Sequence, residues 1–236
     1  MFKNYLKIAW RNLWKNKVFS MINIIGLSIG LSAAFVIGTV IYFDLTFDKF
    51  HPDGSRIYRV TTEFTSPDGN FYNSGVSVPL AQALKEDLTG VETVSPLYKI
   101  SMHLVENGET KTVFKDPENV IHTDGNYFQL FQYKWLVGDV NKVLSNPNEV
   151  VLTENRAKRY FPDLPPHEIM GKVLIYNDTI PLNVSGIVAN FKDRSDLIFE
   201  EFISYKTIGD IGLKNRLGST NWYSTNSSSQ LFVKLN

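Results

Sequence analysis

The residue types that could make or break bonds are present in this chain, but they are scattered. His51, His103, His122 and His167 lie far apart, and no two have the spacing that presents a pair of metal ligands. His167-Glu168 opens like a zinc-protease motif, yet Gly171 stands where the second histidine belongs. Gly75-Val76-Ser77-Val78-Pro79 lacks the second glycine of a nucleophile elbow. Asp53-Gly54, Asp68-Gly69 and Asp124-Gly125 begin as calcium loops do but lack the later oxygen ligands, so they read as turns. Glu86-Asp87 and Glu200-Glu201 could serve acid–base work, but such pairs are expected on solvated faces. No G-x-x-x-x-G-K-[ST] loop is present to cradle ATP. These patterns point away from an enzyme, and neither a cofactor nor a metal is expected on this chain.

The chemistry that the residues do suggest is that of a lipid surface. Lys3, Lys7, Arg11 and Lys15 recur every four residues beside Phe2, Leu6, Ala9, Trp10 and Leu13, which share helical spacing. A short cationic helix of this kind suits the headgroup layer, with Trp10 and Trp14 at interfacial depth. Lys3, Lys7, Trp10, Arg11, Trp14 and Lys15 are therefore candidate interface residues on an in-plane helix over residues 1–17.

Directly after it, Val18 to Phe43 runs for 26 residues without a charge. As a helix it would be about 39 Å long against a hydrocarbon core of about 30 Å. The run is longer than the apolar region of a cleaved signal peptide, and Ser32-Ala33-Ala34 is buried inside it, so an uncleaved anchor is expected. Gly26 and Gly30 form a G-x-x-x-G pair, continued by Ala34 and Gly38, with Ser28 and Ser32 alongside. Such a face lets another helix approach closely and makes Gly26, Gly30, Ala34 and Gly38 candidate packing positions. Tyr42, Phe43, Phe47 and Phe50 would mark the far interface. Five basic residues precede the span and no acid appears before Asp44, which places the N-terminus in the cytoplasm and residues 44–236 outside it.

The whole chain has 24 basic and 24 acidic side chains. Without the five basic residues ahead of the span, the exported part keeps 19 against 24, so it is mildly acidic and a poor match for nucleic acid. It has no cysteine, so a disulfide framework is excluded and packing must carry its stability. Strands are expected at 56–64, at 91–105 with a break at Pro96, at 110–114, 150–152, 172–176, 181–188, 198–204 and 230–234. Helices are expected at 78–88 with Pro79 at the first position, from an Asp124 cap to Phe131, and from a Thr153 cap to Tyr160. Pro67-Asp68-Gly69-Asn70, Asn107-Gly108 and Asn177-Asp178 read as turns. Strands and helices in mixed order give an α+β domain.

Several segments together resemble the MacB/FtsX-type ABC transporter permeases whose ATPase is a separate chain. They are Tyr5-Leu6-Lys7-Ile8-Ala9-Trp10-Arg11-Asn12-Leu13, residues 43–60, and Asn146-Pro147-Asn148-Glu149-Val150-Val151-Leu152-Thr153-Glu154 with Ala157 and Tyr160-Phe161. Leu182–Ile187, Ser195, Phe199–Ser204, Trp222 and the closing Leu231–Leu235 continue the likeness in the same order. The resemblance implies a bacterial inner-membrane permease subunit. Its exported MacB-like core would hold porter-like β-α-β units and a subdomain inserted after about residue 106. It also implies a cytoplasmic ABC ATPase that holds the ATP, packing against other permease helices or a second copy, and extracytoplasmic adaptor proteins as partners. Family members have at least four spans and this chain shows one, so it would be the N-terminal portion of a longer permease. The competing expectation is a single-pass anchored binding or sensor module.

Overall fold

The computed structural model describes residues 2–46, 48–49, 51–191, 195–209 and 220–236. Phe47 and Phe50, expected at the outer interface, lie outside the described residues, as do the side chains of Phe2 and Leu6. The chain divides into two compact units, residues 1–49 and 50–236.

The first unit is two helices, α1 (Phe2–Lys15) and α2 (Lys17–Thr46). Helical bonding crosses the junction, where the Asn16 N–H donates to the Asn12 carbonyl at 3.1 Å and Ser20 to Asn16 at 2.9 Å. α2 runs three residues past Phe43, because Asp44 ends the uncharged run without disfavouring the helical backbone. Its thirty residues span about 45 Å. None of its residues is buried, so by length and composition it is fit to cross a bilayer. Its two threonine hydroxyls turn back onto the helix: Thr39 Oγ1 donates to the Phe35 carbonyl and Thr46 Oγ1 to that of Tyr42, both at 2.8 Å. No polar hydrogen from these side chains is left facing an apolar solvent.

The second unit opens with β1 (Ile57–Val60), β2 (Thr62–Ser66), β3 (Gly69–Asn73), β4 (Val76–Ser77), α3 (Leu80–Asp87), β5 (Val91–Ile100), β6 (Leu104–Asn107) and β7 (Val113–Lys115). It continues through β8 (Val120–Thr123), α4 (Asn126–Phe131), β9 (Trp135–Val137), β10 (Glu149–Thr153), α5 (Glu154–Tyr160) and α6 (Pro166–Ile169). It closes with β11 (Val173–Tyr176), β12 (Ile180–Val188), β13 (Glu201–Ser204), β14 (Thr225–Asn226) and β15 (Ser229–Leu235).

One large sheet has the order β1-β15-β5-β8-β13-β10-β12-β11-β6-β7, with β9 against β12. Two small ribbons, β2–β3 and β4–β14, complete the pairing among the described residues. β10 runs parallel to β12 and β13 to β8, while the other pairs are antiparallel, which makes the unit α+β. Everything from β6 to β13 lies on one side of β5, whereas β1, β5 and β15 come from the two flanking stretches. The inserted part therefore continues the same sheet.

Both faces of the sheet are covered. Val150 and Leu152 pack with Tyr160, Ile169, Leu174 and Leu182 on the face under α5 and α6. Val151 and Phe202 pack with Tyr127, Phe128, Phe131 and Tyr133 on the face under α4. Adjacent residues of β10 thus enter opposite cores, which is why that strand is apolar throughout rather than alternating.

Local chemistry explains most boundaries. Thr153 caps α5, its Oγ1 accepting from the Arg156 N–H at 3.4 Å. Asn177 and Asp178 take φ of 46° and 62°, as a tight hairpin requires. Gly75 passes so close to β14 that a Cβ there would sit 1.8 Å from the Asn226 carbonyl oxygen, so no other residue fits. Pro96 does not break its strand: β8 ends at Thr123 opposite Leu97, so Pro96 lies just beyond that ladder and its carbonyl accepts from Thr123 Oγ1. Pro79 is the N-cap of α3 rather than its first turn, and Gly125, not Asp124, is the N-cap of α4. Pro166 opens α6 instead of only ending α5.

Candidate functional site

On α1, Tyr5, Trp10 and Trp14 are exposed beside Lys3, Lys7, Arg11 and Lys15. The Trp10 and Trp14 ring centroids lie 6.4 Å apart, and Lys17 Nζ sits 5.4 Å from the centre of Trp14. On α2, Gly26, Gly30, Ala34 and Gly38 are all exposed, and a Cβ at any of the three glycines would meet nothing outside the helix backbone within 4 Å.

Where the second unit begins, four charges gather. Asp53 and Arg56 lie just ahead of β1, Glu92 at the start of β5 and Lys234 near the end of β15. Lys234 Nζ stands 2.8 Å from Asp53 Oδ2 and 2.9 Å from Glu92 Oε1. Arg56 donates to Glu92 Oε2 at 3.0 Å. The hydrogen bond from Lys234 is the main reason that both carboxyls sit below their usual range. β15 runs between β1 and β5, with Ile57 opposite Lys234 and Val60 opposite Leu231. The stretch leading into the sheet is thus held to three strands at once.

The acidic pair Glu200-Glu201 is not a solvated pair. Glu201 is fully buried and accepts hydrogen bonds from the Tyr160 and Tyr176 hydroxyls, each at 2.5 Å. Arg156 Nε lies 3.0 Å from Glu201 Oε1, off the line of a hydrogen bond, while its terminal nitrogen donates to Glu200 at 2.5 Å and to the Glu118 carbonyl at 2.9 Å. Asn107 Nδ2 donates to the Tyr160 carbonyl at 2.9 Å and brings in the β6–β7 hairpin. Burial raises the pKa of Glu201, opposed by Arg156 and the two hydroxyls. This network ties α5, β11, β13 and the hairpin together. The pair Glu200-Glu201 carried no local sign of it: within β13 residue 201 takes the face of Ile203, opposite that of Phe202. For Asp53, Arg56, Glu92 and Lys234 no local signal exists, because the four are brought together only by topology.

The other titratable candidates are structural or solvated. His122 is buried, its Nδ1–H donating to the Ser204 carbonyl at 3.3 Å, and desolvation lowers its pKa to about 4. Asp124 is bound by Ser95 at 3.1 Å and lies 3.5 Å from Lys85, and burial raises its pKa against these partners. His167 and Glu168 meet at 3.7 Å on the surface. Among the described residues no group of three His, Cys, Asp or Glu could hold a metal. A cleft of 570 Å³ opens between His51, Phe131, Lys134, Glu154 and Asn190.

The family profile of the MacB-like periplasmic core domain matches residues 20–236. Among solved structures, a crystal structure of a domain from a Porphyromonas gingivalis protein described as a permease shares 17% identity, over 80% of this chain and 76% of that one, with a TM-score of 0.63. The periplasmic region of MacB from Actinobacillus actinomycetemcomitans shares 21% identity over 68% of this chain and 65% of its own, with a TM-score of 0.49. The extracellular domain of the ABC-type transporter YknZ from Gram-positive bacteria shares 14% over 76% and 83%, with a TM-score of 0.48. No curated protein matches the sequence. With the match reaching from within α2 to the last residue of β15 and beyond, the chain belongs to the MacB-like periplasmic core domain family, the extracytoplasmic part of MacB/FtsX-type ABC permeases.

Proposed function

We propose that this chain is the N-terminal portion of a permease subunit that couples a separate cytoplasmic ABC ATPase to movement of the exported domain. In this reading α1 lies against the inner leaflet and α2 crosses the membrane with its basic end inside. The face bearing Gly26, Gly30, Ala34 and Gly38 packs on other permease helices or on a second copy. The observation that carries the reading is the charge cluster of Asp53, Arg56, Glu92 and Lys234. Asp53 and Arg56 fasten the start of the exported unit to β5 and β15, so a displacement that reaches this stretch is passed to the sheet.

Lys234→Met removes the cation shared by Asp53 and Glu92 and is tested in the intact permease with its ATPase. ATP hydrolysis is expected to continue while the ATP-dependent distance change between one label on the exported domain and one on the membrane helices is lost. Unchanged movement overturns the coupling, as does a purified intact permease without any ABC ATPase.

The 570 Å³ cleft favours a second reading, an anchored binding or sensor module. That reading predicts that a chain lacking residues 1–43 still takes up its ligand. Loss of function on placing leucine at Gly26 and Gly30, with anchoring kept, counts against it, because bulk then blocks helix contact.

A further inference from the structure

We propose that α1 is a binding element for an anionic phospholipid of the cytoplasmic leaflet. Arg11 and Lys15 would hold the headgroup phosphate, and Trp10 and Trp14 would rest on the glycerol and upper acyl region. A shallow cleft of 660 Å³ on α1 is lined by Ile8, Trp10, Arg11, Asn12, Trp14 and Lys15. It therefore combines two cations one helical turn apart with two indoles that are 65% and 58% exposed. Arg11 presents a fork of donors suited to phosphate oxygens, and Lys15 adds a compact charge. The indoles match the glycerol level, where an apolar ring and a single N–H both find partners.

The charge balance selects the lipid class. Lys3, Lys7, Arg11, Lys15 and Lys17 face no acid before Asp44, and none of them pairs with a carboxylate among the described residues. Each such cation near an anionic surface is worth about a five-fold preference over a neutral one. The single residue Asn16 between α1 and α2, bridged by helical hydrogen bonds, keeps the cleft at the membrane and raises the local lipid concentration. The inference rests on the membrane placement in the proposed function but not on coupling to an ATPase.

The test uses the intact chain in phosphatidylcholine nanodiscs without ATPase. These carry a minor share of brominated phosphatidylglycerol or the same share of brominated phosphatidylcholine, whose bromines quench a tryptophan they touch. Trp135 and Trp222 set the background, measured in a Trp10→Phe/Trp14→Phe chain. Brominated phosphatidylglycerol is expected to quench several-fold more effectively. The preference should fall about five-fold in Arg11→Gln or Lys15→Gln, persist in Arg11→Lys, and weaken with added salt. Equal quenching by the two lipids overturns the proposal, as does a preference that both glutamine variants retain. Either result leaves the ATPase-coupling reading standing, because no ATPase is present.

Discussion

Glu201 is a buried carboxyl on which two tyrosine hydroxyls converge, so its loss is expected to be costly. Glu201→Ala would leave two tyrosine hydroxyls without their buried acceptor and Arg156 without its buried counter-charge, a cost of about 3–5 kcal/mol. Glu201→Gln keeps the shape and one acceptor and is expected to cost about 1–3 kcal/mol, read by chemical denaturation of residues 50–236. Its titration has a definite sign. With the folded pKa raised, the native state holds the proton that the unfolded chain releases, so stability falls as pH rises through that interval. His122 runs the other way. Its pKa drops from 6.5 to about 4, so the unfolded chain binds the proton first and stability is lost as pH falls between those values. The loss by pH 4 amounts to roughly 3 kcal/mol. His122→Gln should remove that acid slope and Glu201→Gln the opposing one, so denaturation of each variant across pH 4–7 separates two effects that overlap in the parent chain. Neither role follows from composition: Glu201 sits in a run that reads as a surface pair, and a lone buried histidine has no sequence signature.

Among the elements, those with their own chemistry were legible. The α1 stripe, the uncharged run within α2, the Thr153 cap with α5 and the Asn177-Asp178 hairpin each carry a local cause, and each stands close to its expected bounds. Thr153→Ala is expected to destabilise residues 50–236 by about 1 kcal/mol, with Thr153→Ser nearly neutral, measured as a shift in denaturation midpoint. The cap bond is long at 3.4 Å, which favours the lower end of that cost. What could not be read depends on neighbours. β3 and β9 are short and owe their form to β2 and β12. β13 starts at Glu201 rather than Ile198, because pairing with β8 and β10 begins only there. Pro96 looks like a breaker until the end of β8 is known. α5 kept its expected cap and end, whereas α2 overran its expected end by three residues.

Across the whole chain, the class of fold and the presence of one apolar helix followed from patterning, whereas the strand order did not. Pairings such as β15 with β5 join residues more than a hundred positions apart, and nothing local announces them. That pairing bears on the order in which the exported unit is made. β1 and β5 are not neighbours; β15, which emerges after all the other described strands, is wedged between them. A nascent chain stopped before Ser229 can zip β6 through β13, all of which it already holds, yet its earliest strand has no partner to grip. Such a chain is expected to protect amides of β10, β12 and β13 from hydrogen exchange while β1 exchanges freely. The charge cluster at Lys234 would be unformed as well. Synthesis would thus deliver a module whose β6–β13 part is assembled before β1 is bound into the sheet.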